Sequence, residues 1–129
     1  MTVESLLILI AALQLKHLFA DFFFQTGWMV QNKGYYGHPA GIAHAGIHLA
    51  LTFVALFVVG IPLWWCAVLA VVEGVVHYHV DWAKAAVTRK SEFTASDARF
   101  WNWIGLDQFA HHVTYLALVY LISGLGLLS

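Results

Sequence analysis

The chain has 129 residues, of which 61% are hydrophobic and only 10% are Asp, Glu, Lys or Arg. Soluble domains run to about 45–50% apolar and about 25% charged residues, so the composition excludes an ordinary soluble domain and predicts an integral membrane protein with the lipid bilayer as its first partner. A net charge of −1 with histidine neutral leaves no basic footprint and excludes nucleic acid as partner, and the single cysteine excludes an internal disulfide.

The first apolar run covers residues 3–24. No Lys or Arg precedes it within Met1–Ser5, and it continues past Ala11-Ala12, so it reads as a transmembrane helix rather than a cleaved leader. Residues 25–39 form a polar connection with turn residues Gly37 and Pro39, in which Lys33 and His38 read as solvated, Lys33 at the lipid headgroups. A second run, 40–60, meets a third, 62–86, at a tight Gly60-Ile61-Pro62 hairpin. A second polar connection holds Arg89, Lys90, Glu92, Asp97 and Arg99, and its 96–103 part is expected to lie as a short interfacial helix. A fourth run follows at 100–128. Each run has the roughly 20 residues that cross a hydrocarbon core of about 30 Å. The expected fold is therefore all-α, a four-helix transmembrane bundle forming a single integral membrane domain over residues 1–129.

Lys33, Arg89, Lys90 and Arg99 all fall on one side of such a bundle, while the N-terminal tail, the Gly60 hairpin and residues 127–129 carry no Lys or Arg. The positive-inside rule then puts both polar connections in the cytoplasm and both termini on the outer, periplasmic side of a cell inner membrane. Trp28, Trp82, Trp101 and Trp103 fall near the inner interface and Trp64-Trp65 near the outer one, as an aromatic belt requires.

Each run also carries ionisable residues on one helical face. The first has Gln14, His17 and Asp21, the second His44 and His48 with Thr52, the third Glu73, His77, Asp81 and Lys84, and the fourth Asp107, His111 and Tyr115. At about 100° per residue, Glu73, His77, Asp81 and Lys84 fall within about 80° of one another. The sets sit late in the first and third runs and early in the second and fourth. With about 1.5 Å rise per residue, all four reach one level, in the cytoplasmic third of the membrane. Ionisable groups at membrane depth are costly and are retained mostly for function.

Eight His against six Lys plus Arg point toward metal or proton chemistry. His17/Asp21, His77/Asp81 and Asp107/His111 pair an acid with an imidazole one turn apart, and His44/His48 have the spacing of paired ligands in helical zinc sites. The candidate ligands are thus His17, Asp21, His44, His48, His77, Asp81, Asp107 and His111. They would hold one or two divalent ions, zinc first, with manganese or iron as the other choices. Glu73 is the candidate general base or proton carrier, and Lys84 would attract an anionic substrate or hold a carboxylate. Two metals would suit hydrolysis of phosphate esters, which gives a metal-dependent hydrolase acting on a lipid-linked or phosphate-containing substrate. His79 and His112 lie off the shared faces. Tyr115 and Gln14 read as orienting partners. Any one of these pairs alone reads equally as a helix-to-helix hydrogen bond.

Three other classes compete. A proton or divalent-cation transporter would use the same groups and would need a homo-oligomer, but the outer halves of the first two runs lack polar relay groups. Haem binding would use paired His without needing Asp21, Asp81 and Asp107. A structural subunit of a larger complex is the third.

The stretches His17-Leu-Phe-Ala-Asp21-Phe-Phe-Phe-Gln25-Thr-Gly-Trp28-Met-Val-Gln-Asn-Lys33, Ala43-His44-Ala45, His77-Tyr-His-Val-Asp81-Trp-Ala-Lys84 and Asp107-Gln-Phe-Ala-His111 resemble an uncharacterised family of small bacterial multi-pass membrane proteins, a domain of unknown function. More distantly, the chain is similar to bacterial membrane-bound metal-dependent hydrolases. The resemblance implies a site made of His17, Asp21, His44, His77, Asp81, Asp107 and His111; His48 and Glu73 fall outside that pattern.

Overall fold

Thr2 opens the first helix with a capping box: its hydroxyl accepts the Ser5 N–H while its own N–H donates to Ser5 Oγ. The computed structural model describes residues 2–91 and 93–127, and every regular element among them is helical. Helix α1 (Val3–Leu18) runs on into a π-turn (Phe19–Phe23), closed by the Phe24 N–H donating to Phe19 O at 2.9 Å. Such turns break regular α spacing and concentrate at functional sites; this one carries Asp21.

The connection that follows is not only turn. Thr26 accepts the Met29 N–H at 3.3 Å and caps a six-residue helix, α2 (Gly27–Asn32), which buries Met29. His38 Nδ1 accepts the Ala40 N–H and Pro39 occupies the first turn, so α3 (Pro39–Val58) starts directly after. It ends in a Schellman motif: Ile61 N–H donates to Leu56 O, Gly60 N–H donates to Phe57 O, and Gly60 takes φ +90°, open only to glycine at low cost. Helix α4 (Leu63–Ser91) has 29 residues, and α5 (Ala98–Gly124) has 27. The 96–103 stretch is helical from Ala98, but as the first turns of α5 rather than as a separate interfacial element. No proline interrupts it, and Gly105 is tolerated in the helix interior. Glu92 and the predicted end of the fourth run at 128 lie outside the described residues.

Val3–Phe23, α3 and α4 are long and apolar enough to cross a membrane. Helix α5 has the length, but Asp107, Gln108, His111 and His112 dilute its apolar run. The interior has two halves. One is apolar, built from Leu9, Leu13, Leu56, Cys66, Leu69, Leu118 and Ile122 with Tyr115 at its edge. The other is polar and holds nearly all the buried ionisable groups. Large apolar side chains such as Leu7, Phe22, Phe57, Trp64 and Leu116 point outward, the pattern expected where lipid rather than water is the solvent.

One close approach positions the polar half. A Cβ on Gly34 would lie 3.1 Å from Ala85 Cβ and 3.2–3.3 Å from Ala85 backbone atoms, so the chain after α2 lies directly on α4. Gly34→Ala should therefore lower stability by about 1–3 kcal/mol, the usual cost of overpacking, in thermal unfolding of the detergent-solubilised protein. An unchanged transition would mean that the segment moves freely off α4.

Candidate metal centre

The polar half is organised around two carboxylates. Asp21, on the π-turn, is ringed by three imidazole nitrogens: His48 Nε2 at 2.9 Å and His44 Nε2 at 3.2 Å from Oδ1, and His17 Nε2 at 3.2 Å from Oδ2. Asp81, on α4, is ringed by His44 Nε2 at 3.0 Å and His77 Nε2 at 3.6 Å from Oδ2, and His111 Nε2 at 3.3 Å from Oδ1. His44 Nε2 thus bridges the two hubs. Four helical segments, α1 with its π-turn, α3, α4 and α5, contribute to a centre whose imidazoles are all buried.

These distances alone do not separate a metal site from a hydrogen-bond network; the partners left to each nitrogen bear on the choice. Both ring nitrogens of His44 and both of His77 are buried without a hydrogen-bond partner, although carboxylate oxygens lie close by. A buried polar atom left unpaired costs on the order of 1–3 kcal/mol. An ion held among them would give those nitrogens a partner. Zinc bonds of about 2.0–2.1 Å in tetrahedral geometry hold ligand atoms roughly 3.3 Å apart, and the separations at Asp21 and Asp81 fall around that value. Two groups meet the geometric condition for holding an ion: Asp21, His44, His48 and His77; and His77, Asp81 and His111. His77 belongs to both. Its ring stacks between those of His48, at 3.4 Å, and His111, at 4.1 Å. The imidazole and carboxylate donors present therefore fit a divalent ion of the zinc, iron or manganese type.

Three expected ligands have other company. Lys16 Nζ lies 3.2 Å from His48 Nδ1; an ammonium only donates, so Nδ1 accepts and Nε2 carries the hydrogen that reaches Asp21. His48 in that tautomer orients Asp21 rather than offering a lone pair. His17 is held at both ends, by Tyr115 OH at 2.8 Å and Gln108 Oε1 at 2.9 Å, and belongs to neither group of four or three. Asp107 Oδ1 lies 3.5 Å from His111 Nε2 without a hydrogen bond, and its Oδ2 is 3.8 Å from Lys84 Nζ.

Glu73 is also engaged. Lys16 donates to its Oε1 at 2.8 Å and Thr52 Oγ1 donates to its Oε2 at 3.0 Å, so action as a base would first require losing Lys16. Lys84, partly exposed, reaches Asp107 and not Asp81. The cation on Asp81 is Lys33, which donates to Oδ2 at 2.8 Å and to Gln25 Oε1 at 2.8 Å. Lys33 is not a solvated loop residue: it is 7% exposed, because Gly34 lets its backbone rest on α4. Lys16 was silent in the face patterns, one residue off the His17 stripe. Its signal was a lysine inside an otherwise apolar run. His79, by contrast, is exposed, with Nδ1 bonded to Val75 O and Nε2 near Tyr36 OH, and His112 is exposed as well.

No curated protein and no solved structure matches the chain. Residues 8–127 match the family model described as "Protein of unknown function (DUF3307)". That span contains every side chain of the two carboxylate hubs, and the chain belongs to this family.

Proposed function

We propose that this protein is a multi-pass inner-membrane protein that holds one divalent ion, zinc in the first place, among Asp21, His44, His77, Asp81 and His111, and that it acts there as a hydrolase. The observation that carries the metal is the set of buried, unpartnered nitrogens on His44 and His77. Charge balance favours one ion over two. The carboxylates Asp21, Glu73, Asp81 and Asp107 face Lys16, Lys33 and Lys84, which leaves a single negative charge unmatched with the histidines neutral. One divalent ion turns that into a single positive charge suited to an anionic substrate; two would leave a large uncompensated excess in a buried site.

A bound divalent ion supplies charge that polarises a phosphoryl or carbonyl oxygen and acidifies water. The chain supplies the remainder. Asp107, whose Oδ1 has no hydrogen-bond partner and lies 3.5 Å from His111 Nε2, is the carboxylate placed to take and hold a proton. His17, fixed by Tyr115 and Gln108, and His48, backed by Lys16, orient Asp21. Transport is disfavoured because the opposite half of the interior is an apolar core from Leu9 to Ile122, with no polar path through it among the described residues.

Protein purified without a histidine tag should carry about one equivalent of zinc, manganese or iron by inductively coupled plasma mass spectrometry, and a chelator should lower its unfolding temperature as it removes the ion. A folded sample without metal, whose stability ignores both chelator and added zinc, would sink this reading.

A further inference from the structure

We propose that the cavity beside the metal centre is a phosphate-binding pocket, so that the substrate of that centre is a phosphate-bearing molecule; the substrate assignment rests on the metal-centre reading above. The cavity is about 340 Å³, within the range of about 300–1,000 Å³ usual for small-molecule sites. Lys33, Lys84 and Arg89 all line it, with Gln31, and no carboxylate lines it among the described residues. Phe93 and Phe100 supply an apolar flank, as an acyl or isoprenoid chain next to a phosphate would need. Three of the chain's six Lys plus Arg line this one cavity, a lining that suits an anion.

The donors are free to act. An ammonium has three N–H groups; Lys33 uses one on Asp81 and one on Gln25, leaving the third for the cavity it lines. Lys84 sits 3.8 Å from Asp107, beyond hydrogen-bond length, and is partly exposed. The Arg89 guanidinium is stacked 3.9 Å over the Tyr35 ring, which fixes its plane and leaves its N–H edge for bidentate contact with phosphate oxygens. Lys33 therefore touches the cavity on one side and Asp81 of the metal centre on the other, while Lys84 faces Asp107. Phosphate bound to the third Lys33 N–H competes with Asp81 Oδ2 for the ammonium charge and weakens its hold on that oxygen. By linkage, phosphate should tighten metal binding and metal should tighten phosphate binding by the same factor.

The test is isothermal titration of the protein as purified in detergent with two probes: inorganic phosphate and monomeric dihexanoyl phosphatidic acid, with dihexanoyl phosphatidylcholine as the zwitterionic control. The expected result is one saturable site for a phosphate monoester, weakened at least about tenfold by Arg89→Gln and by Lys33→Gln, with the metal content of Arg89→Gln unchanged. Equal binding of the two probes identifies free phosphate as sufficient, and binding of phosphatidic acid alone identifies a lipid headgroup; both support the pocket. Binding of neither probe, or wild-type affinity in both variants, overturns it. Metal present without phosphate binding defeats the pocket alone, whereas phosphate binding by metal-free protein defeats the metal centre and leaves the pocket standing.

Discussion

Replacing His77 with alanine should empty the metal centre, and replacing His79 with alanine should leave it full. The two residues are neighbours on α4 but point to opposite surroundings. His77 is 1% exposed, has both nitrogens unpaired, and is shared by both groups able to hold an ion. His79 is exposed and satisfied by Val75 O and Tyr36 OH. Loss of one ligand also removes the ring that stacks His48 and His111 in place, so the effect should exceed the 10–100-fold loss typical when only an orienting partner is removed. Asp81→Asn tests the second hub: it keeps the shape, removes a charge, and leaves Lys33 facing an amide. Metal content per folded chain is the measurement, and folding is checked by gel filtration and circular dichroism. His44→Ala should behave like His77→Ala. His17→Ala should lose affinity only to the extent that it frees Asp21, because His17 is held by Tyr115 and Gln108. Equal loss at His77 and His79, or full metal in His77→Ala, would contradict the assignment of the site to this face of α4.

Much of the site was legible in the sequence because helical periodicity projects directly into space. His77 and Asp81 are one turn apart and their side chains do converge, at 3.6 Å. His17 and Asp21 also meet, at 3.2 Å, even though the π-turn intervenes. The common level of the four sets follows from counting residues along long helices, and helix length is the most robust quantity that hydropathy provides. What the pattern could not reach were the cations. A lysine carries its charge several ångströms from its own Cα, so Lys16, off the His17 stripe, still arrives at Glu73. Lys33 was hidden for another reason: its position depends on a contact between Gly34 and Ala85 that no local rule encodes. Lys84 reads from sequence as holding a carboxylate without saying which, and its ammonium faces Asp107 on the neighbouring helix. The short helix α2 was hidden in a stretch that reads as a polar connection ending in the turn residues Gly37 and Pro39; its cap, Thr26 three residues before Met29, was the available sign.

Those cations also set the second large effect, at the boundary between the polar and apolar halves. Lys16 and Glu73 are 5% and 1% exposed and joined at 2.8 Å, with Thr52 donating to the other Glu73 oxygen and the Tyr115 ring 4.6 Å below the ammonium. Removing one member leaves the other buried and unpaired, which costs about 3–5 kcal/mol. Lys16→Met and Glu73→Leu should each lower stability by that amount, while the double variant, which replaces the pair by apolar groups, should recover most of it. Thr52→Val should cost about 1 kcal/mol, the worth of one hydrogen bond. Unfolding in detergent with increasing denaturant gives the cycle, and costs that simply add would refute the pair as a coupled unit. Metal content in Glu73→Gln then separates two roles. If Glu73 serves to hold Lys16 against His48, the ion stays, with affinity lowered through the loss of His48 orientation. If Glu73 is itself a ligand, the ion goes. The geometry predicts the first outcome: Glu73 Oε1 approaches His77 Nδ1 only to 3.7 Å while Lys16 holds it at 2.8 Å, so Glu73 serves to neutralise a lysine and leaves Asp21 and Asp81 as the carboxylates offered to an ion.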